Sequence, residues 1–160
     1  MPSDYQAVIT APFGKLGVRM NDDRLTGLDF LAAEVASLPP ADEATRSVCQ
    51  ALANYFADGA SALDLDFHLH GTPFQQRVWQ HLRSIPAGRT QTYGELALCL
   101  GSGPRAVANA CGANPLPIIV PCHRVVAKHG LGGFMHGRTA GALQIKQWLL
   151  QHERSRSTAA

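Results

Sequence analysis

Thr92-Tyr93-Gly94-Glu95-Leu96-Ala97-Leu98-Cys99-Leu100-Gly101-Ser102-Gly103-Pro104-Arg105-Ala106-Val107-Ala108-Asn109-Ala110-Cys111-Gly112 spells two short helices and the turn between them. Thr92 and Glu95 form a capping box: the hydroxyl and the carboxylate each satisfy a backbone N–H that the first helical turn leaves without a partner. Gly101-Ser102-Gly103 makes a tight turn, and Pro104 opens the second helix, because its missing N–H is no loss at that position. The second helix ends near Gly112. Two short helices joined by a glycine-containing turn read as a helix-turn-helix. Small residues (Ala106, Ala108, Ala110, Gly112 and Ala113) cover the second helix, and only Arg105 and Asn109 reach outward. Long polar side chains for reading base edges in a major groove are missing. A smooth helix with one arginine suits close approach to a minor groove, and the alternative is that its small residues serve packing against a neighbour.

Upstream, Thr72-Pro73-Phe74-Gln75 is a second capping box with proline at the first helical position. Phe74, Val78, Leu82 and Ile85 form an apolar stripe, ended by Pro86-Ala87-Gly88. Residues 5–10, 14–20 and 25–31 read as short strands, with Pro12, Gly14 and Asn21-Asp22 at the turns. After the break at Pro39-Pro40, Thr45 to Phe56 is helical, and Asp58-Gly59 ends it. The expected organisation is an α/β N-terminal domain over 1–70, including a linker from 59, then a mainly α domain over 71–153 carrying the helix-turn-helix, and a flexible tail over 154–160.

The 160 residues, 46% apolar, suffice for one or two packed domains. No apolar run approaches the roughly 20 residues of a membrane span, and the start lacks a signal-peptide pattern, so a cytoplasmic protein is expected. The formal net charge of +2 conceals a split. Residues 1–70 hold four Lys/Arg against ten Asp/Glu, and residues 71–160 hold ten against two. The basic half points to a polyanion partner; the alternative is two oppositely charged faces that only solvate the molecule. Cys49, Cys99, Cys111 and Cys122 include no Cys-x-x-Cys pair, and a reducing compartment keeps them as thiols. Two disulfides, or zinc held by Cys49, His68 and His70, are the alternatives; the latter spacing fits no standard finger.

Asn114-Pro115-Leu116-Pro117-Ile118-Ile119-Val120-Pro121-Cys122-His123-Arg124-Val125-Val126 is an apolar, proline-bounded segment that delivers Cys122 and His123 at a fixed place. A cysteine becomes a nucleophile when its thiolate is stabilised, and His123 and Arg124 can supply a base or positive charge. An inert core cysteine is the competing reading.

Pro121-Cys122-His123-Arg124-Val125, with Asn114-Pro115 upstream, closely resembles the O6-alkylguanine-DNA alkyltransferases, also called methylated-DNA–protein-cysteine methyltransferases. The resemblance extends over about residues 71–153 and includes Gly71 to Trp79, Ile85-Pro86-Ala87-Gly88, Thr92 to Ala97 and Trp148-Leu149-Leu150. It implies repair of O6-alkylguanine, and of O4-alkylthymine, in double-stranded DNA by irreversible transfer of the alkyl group to Cys122, once per chain. It implies no cofactor, no metal and a monomer. Under the resemblance His123 is the base that acts through a water, Glu153 orients it, Asn114 ties the DNA-binding helix to the active-site segment, and Tyr93 contacts the extruded base. Arg105 resembles the residue that fills the gap in the duplex. Ala106, Asn109, Thr92 and Arg124 complete the implied DNA-facing set, and Phe134, Met135 and Val125 the implied base pocket. The sequence departs from the family after Gly130-Leu131-Gly132-Gly133-Phe134, where Met135 to Ala140 lengthens the loop before Gly141-Ala142. That loop is expected to be the mobile wall of the pocket and to set the range of alkyl groups accepted. The rival readings are a helix-turn-helix regulator without catalysis and a Cys–His enzyme acting on a small substrate.

Overall fold

A computed structural model describes residues 4–137 and 141–158. Residues 138–140, part of the lengthened loop, lie outside the described residues, as do the last two of the expected tail. The chain divides into two units with the boundary between Leu69 and His70.

The N-terminal unit is an antiparallel sheet in the order β1-β2-β3, from β1 (Ala7–Ala11), β2 (Gly14–Asn21) and β3 (Arg24–Leu31), with α1 (Glu43–Ala57). Asn21 pairs with Arg24, so Asp22 and Asp23 form a two-residue hairpin turn; both take positive φ, 51° and 63°, the backbone that matches the strands' twist. Ala7, Leu16, Val18, Leu25 and Leu28 of the three strands lie in the core, where Val48, Leu52 and Tyr55 of α1 are also buried. Asp42 caps α1 by accepting from Thr45 N at 2.8 Å, so the helix opens at Glu43, two residues before the start read from the sequence.

The C-terminal unit contains α2 (Pro73–Leu82), α3 (Tyr93–Leu100), α4 (Pro104–Gly112) and α5 (Ala142–Thr158), with a parallel pair of two-residue strands, β4 (Gln91–Thr92) and β5 (Val125–Val126). Both capping boxes are formed, at Thr72/Gln75 and Thr92/Glu95. Gly101 ends α3 in the left-handed conformation, φ 63°, and α4 follows after the expected turn. The indole of Trp79 on α2 donates to the Ala110 carbonyl of α4 at 2.8 Å, which fixes the helix-turn-helix on its support. The small residues of α4 divide by face. Val107, Ala110, Cys111 and Gly112 are buried, whereas Arg105, Ala106 and Asn109 are exposed. A side chain at Gly112 would overlap the His136 imidazole as it lies here, against the buried face of α4.

Two boundaries differ from the sequence reading. Helix α2 closes at Leu82, and Ile85 is buried from the turn that follows. Helix α5 continues through Thr158, so the tail expected from residue 154 opens as helix. Residues 154–158 contain no glycine or proline to stop it.

Candidate active site

The segment between α4 and Cys122 is held by one side chain. Asn114, fully buried, donates from Nδ2 to the Val120 carbonyl at 2.8 Å and accepts from Leu116 N at 2.9 Å. These bonds bend the proline-bounded run into a closed loop, in which Ile118 is forced to φ 77°, an uncommon conformation for a β-branched residue. Val120 O also accepts from Cys122 N at 2.8 Å. The loop therefore sets Cys122 relative to α4.

Cys122, 3% exposed, starts a single 3-10 turn, Cys122–Arg124. His123 is fully buried, and its Nε2 lies 2.9 Å from Glu153 Oε2. A carboxylate only accepts, so Nε2 carries the proton and Nδ1 is left as the acceptor. Nδ1 is buried and has no hydrogen-bond partner among the described residues. Burial, which outweighs the attraction of Glu153, pushes the imidazole below its ordinary pKa, so His123 rests neutral at pH 7 and is able to take a proton.

Glu153 is 1% exposed on α5. Burial acts to raise its pKa, but hydrogen bonds and charge from His123 and Arg124 more than offset this and hold the carboxyl well below the usual carboxylate range. Arg124 grips both oxygens, Nε to Oε1 at 2.9 Å and Nη2 to Oε2 at 2.8 Å, and its Nη1 donates to Ile85 O. This corrects the sequence expectation for Arg124. It points inward as the carboxylate's partner and not outward to DNA, because an unpaired Glu153 in this place would be costly.

The cation that acts on Cys122 is Lys146, which the sequence reading did not single out. It is fully buried on α5, and its Nζ donates to Val125 O and Gly133 O, each at 2.7 Å. Burial pushes its pKa down to about 8, against the attraction of Cys122 and Cys111. Cys122 in turn is pushed up to about 11 by burial, while a hydrogen bond from Asn114 and the charge of Lys146 pull it down. The resting group is thus a thiol, and its proton must leave as it reacts. A signal for Lys146 was present in the sequence. Ala142, Ile145, Leu149 and Leu150 are the buried stripe of α5, and Lys146 and Glu153 occupy the same stripe at helical spacing.

A cavity of about 210 Å³ opens beside Cys122, walled by Tyr93, Asn109, Cys111, Phe134, Met135 and His136 among others. Tyr93 donates to Gly133 O over a long 3.4 Å, and burial pushes its phenol up to about 12, so it keeps its proton as a donor. Phe134 and Met135 line the cavity, and Val125 does not. Val125 is fully buried in β5, whose pairing with Gln91 turns it into the core, and it contributes its carbonyl to Lys146. Thr92 is the cap of α3, accepting from Glu95 N at 3.1 Å. Among the described residues no cluster of three or more His, Cys, Asp or Glu side chains is arranged to hold a metal ion.

Residues 73–155 match the family model of the 6-O-methylguanine DNA methyltransferase DNA-binding domain. The chain belongs to this family. A probable methylated-DNA–protein-cysteine methyltransferase of Acanthamoeba polyphaga mimivirus is 52% identical over 93 residues, which cover 57% of this chain and 59% of the viral protein. The methylated-DNA–protein-cysteine methyltransferase of Methanosarcina barkeri is 37% identical over 157 residues, 93% of this chain and 96% of the relative. A crystal structure of the Mycobacterium tuberculosis OGT protein in complex with DNA superposes with a TM-score of 0.78 at 38% identity, covering 93% of this chain and 92% of that one. The methyltransferase family likeness therefore includes the N-terminal unit, which the sequence motifs alone did not reach.

Lys146→Met keeps the bulk of the side chain and removes its charge. Single-turnover transfer from free O6-benzylguanine is expected to slow by about tenfold or more, the equivalent of at least one pKa unit at Cys122. An unchanged rate across pH 6 to 9 would show that Lys146 only holds the two carbonyls.

Proposed function

We propose that the protein repairs O6-alkylguanine, and also O4-alkylthymine, in double-stranded DNA by moving the alkyl group to Cys122. The observation that carries the reading is the buried row of Cys122, His123, Glu153 and Arg124 beside an open cavity. The O6 atom lies inside the paired duplex, so the base must leave the stack to reach this cavity, at a cost on the order of a few kcal/mol. Arg105, exposed near the start of α4, would fill the gap.

In the reaction the Cys122 proton passes to His123 Nδ1 through a water, and Glu153 stabilises the imidazolium that forms. Arg124 keeps Glu153 ionised throughout. The sulfur attacks the alkyl carbon, the S–C bond forms as the C–O6 bond breaks, and guanine leaves with its negative charge met by the Tyr93 hydroxyl before it takes up a proton. The thioether is stable, so one chain serves once. A cytoplasmic setting goes with this chemistry, since a reducing compartment keeps the acceptor as a thiol.

Duplex DNA carrying labelled O6-methylguanine tests the proposal: label moves to protein, at most one group per chain. A lesion left intact under stoichiometric protein favours the regulator, and many turnovers favour the small-substrate enzyme. Arg105→Ala is expected to slow repair of the duplex by about tenfold or more while changing reaction with free O6-benzylguanine little, since its role is extrusion and not bond breaking. Equal losses on the two substrates would refute that role.

A further inference from the structure

The cavity beside Cys122 holds a second thiol that the repair reaction does not use. Cys111 sits on the inward face of α4, 5% exposed, and lines the same cavity. Lys146 acts on both thiols, and Cys122 raises the pKa of Cys111, as a neighbouring group of like charge must. Neither Cys49 nor Cys99 lines this cavity.

A group taken from guanine O6 remains in the cavity as a thioether on Cys122. A simple alkyl chain is then inert. A chain that ends in a halide or another leaving group is not, because its far carbon is still an electrophile inside the protein. We infer that Cys111 is a second acceptor for such lesions, closing a thioether bridge from Cys122 through the alkyl chain to Cys111. The inference rests on the transfer reading above.

The steps balance. In the first, the Cys122 sulfur displaces guanine from the near carbon, and the thiol proton leaves through His123. In the second, the Cys111 sulfur displaces the halide from the far carbon, and the thiol proton goes to solvent base. No oxidant or cofactor is required. The first step prepares the second. While Cys122 is ionisable it opposes the Cys111 thiolate and competes for Lys146, and burial and this opposition push Cys111 up to about 12. As a thioether Cys122 can no longer ionise, so Cys111 is the one thiol left for the Lys146 cation to favour as a thiolate. Other nucleophiles of the wall are poorer. Tyr93 keeps its proton, Met135 offers only a thioether, and His136 is exposed at the mouth. Capture by Cys111 would spare the DNA from being joined to the protein by the same reactive chain.

The test uses the full chain and duplex oligonucleotides carrying O6-methylguanine or O6-(ω-bromobutyl)guanine, read by intact mass and peptide mapping. The expected result with the bromobutyl lesion is one product, lacking bromine, with the Cys122 and Cys111 peptides joined. Cys111→Ser is expected to give the Cys122 adduct without that bridge. A Cys122 adduct in the unaltered protein with Cys111 still free, whether open, cyclic, or joined to His136, Tyr93 or DNA, overturns the inference. Failure of Cys122 to take even the methyl group overturns the transfer reading itself.

Discussion

Cys122→Ser is expected to abolish transfer, by more than about 10³-fold, while duplex binding stays within about twofold of the unaltered protein. The substitution replaces one atom in a site whose shape is fixed by Asn114 and the surrounding loop, so the helix-turn-helix and its exposed Arg105 and Asn109 are untouched. The chemistry is another matter. Burial already pushes the thiol to about 11. A hydroxyl is far less acidic, and a neutral His123 is too weak a base to bridge that gap towards a saturated carbon. Fluorescence anisotropy on undamaged duplex and label transfer from O6-methylguanine, measured on the same preparation, separate the two properties. Label on Cys49, Cys99 or Cys111 of the unaltered protein would remove Cys122 from the centre of the reaction.

Glu153 has the second large effect, and two substitutions divide it. Glu153→Ala leaves Arg124 and His123 buried without their shared partner. A loss of about 3–5 kcal/mol of stability is expected, from urea unfolding, because breaking a buried pair strands the remaining charge. Glu153→Gln keeps the volume and one accepting oxygen. If its amide nitrogen faces Nε2, His123 must move its own proton to Nδ1, the atom that has to accept from Cys122. Transfer is expected to slow by about 10²- to 10⁴-fold with DNA affinity nearly unchanged, as for a triad whose acid is replaced by its amide. A rate within threefold of the unaltered protein would show that Glu153 serves Arg124 alone.

The same pair sets the response to acid. Glu153 has its folded pKa depressed, so its stabilising contribution is complete above the ordinary carboxylate range and is lost as pH falls below about 4.5. His123 is also depressed, by burial. The unfolded chain gains a proton there below about 6.5 and the folded chain does not, so this term likewise weakens the fold as pH falls. Both act in one direction. Unfolding midpoints measured from pH 8 to pH 4 should fall steadily, and Glu153→Gln should flatten the lower end of that curve.

The elements that local sequence determines were legible because their signals lie within a few residues. The capping boxes at Thr72/Gln75 and Thr92/Glu95 each join residues three apart, and the Gly101 turn and the Asp22-Asp23 hairpin are decided by backbone preference on the spot. The stripe of α2 is equally local. Cys122 and His123 could be read from their motif, and Glu153 from the family pattern. The partnerships that make them a site could not. Glu153 meets His123 across 30 residues and Arg124 across 29, and Lys146 reaches back 21 residues to Val125 and 13 to Gly133. Arg124 beside a candidate nucleophile reads as a cation for sulfur or DNA until α5 packs against it and supplies a carboxylate. Val125 reads as a pocket residue until β4 pairs with β5 and turns it away. Sequence by itself pointed to the helix-turn-helix, a two-part chain and the candidate acceptor cysteine, because spacing along the chain encodes backbone geometry. Only the tertiary structure decided which charges pair, which cation faces the thiol and that Cys111 shares its cavity, because burial and long-range packing set those energies.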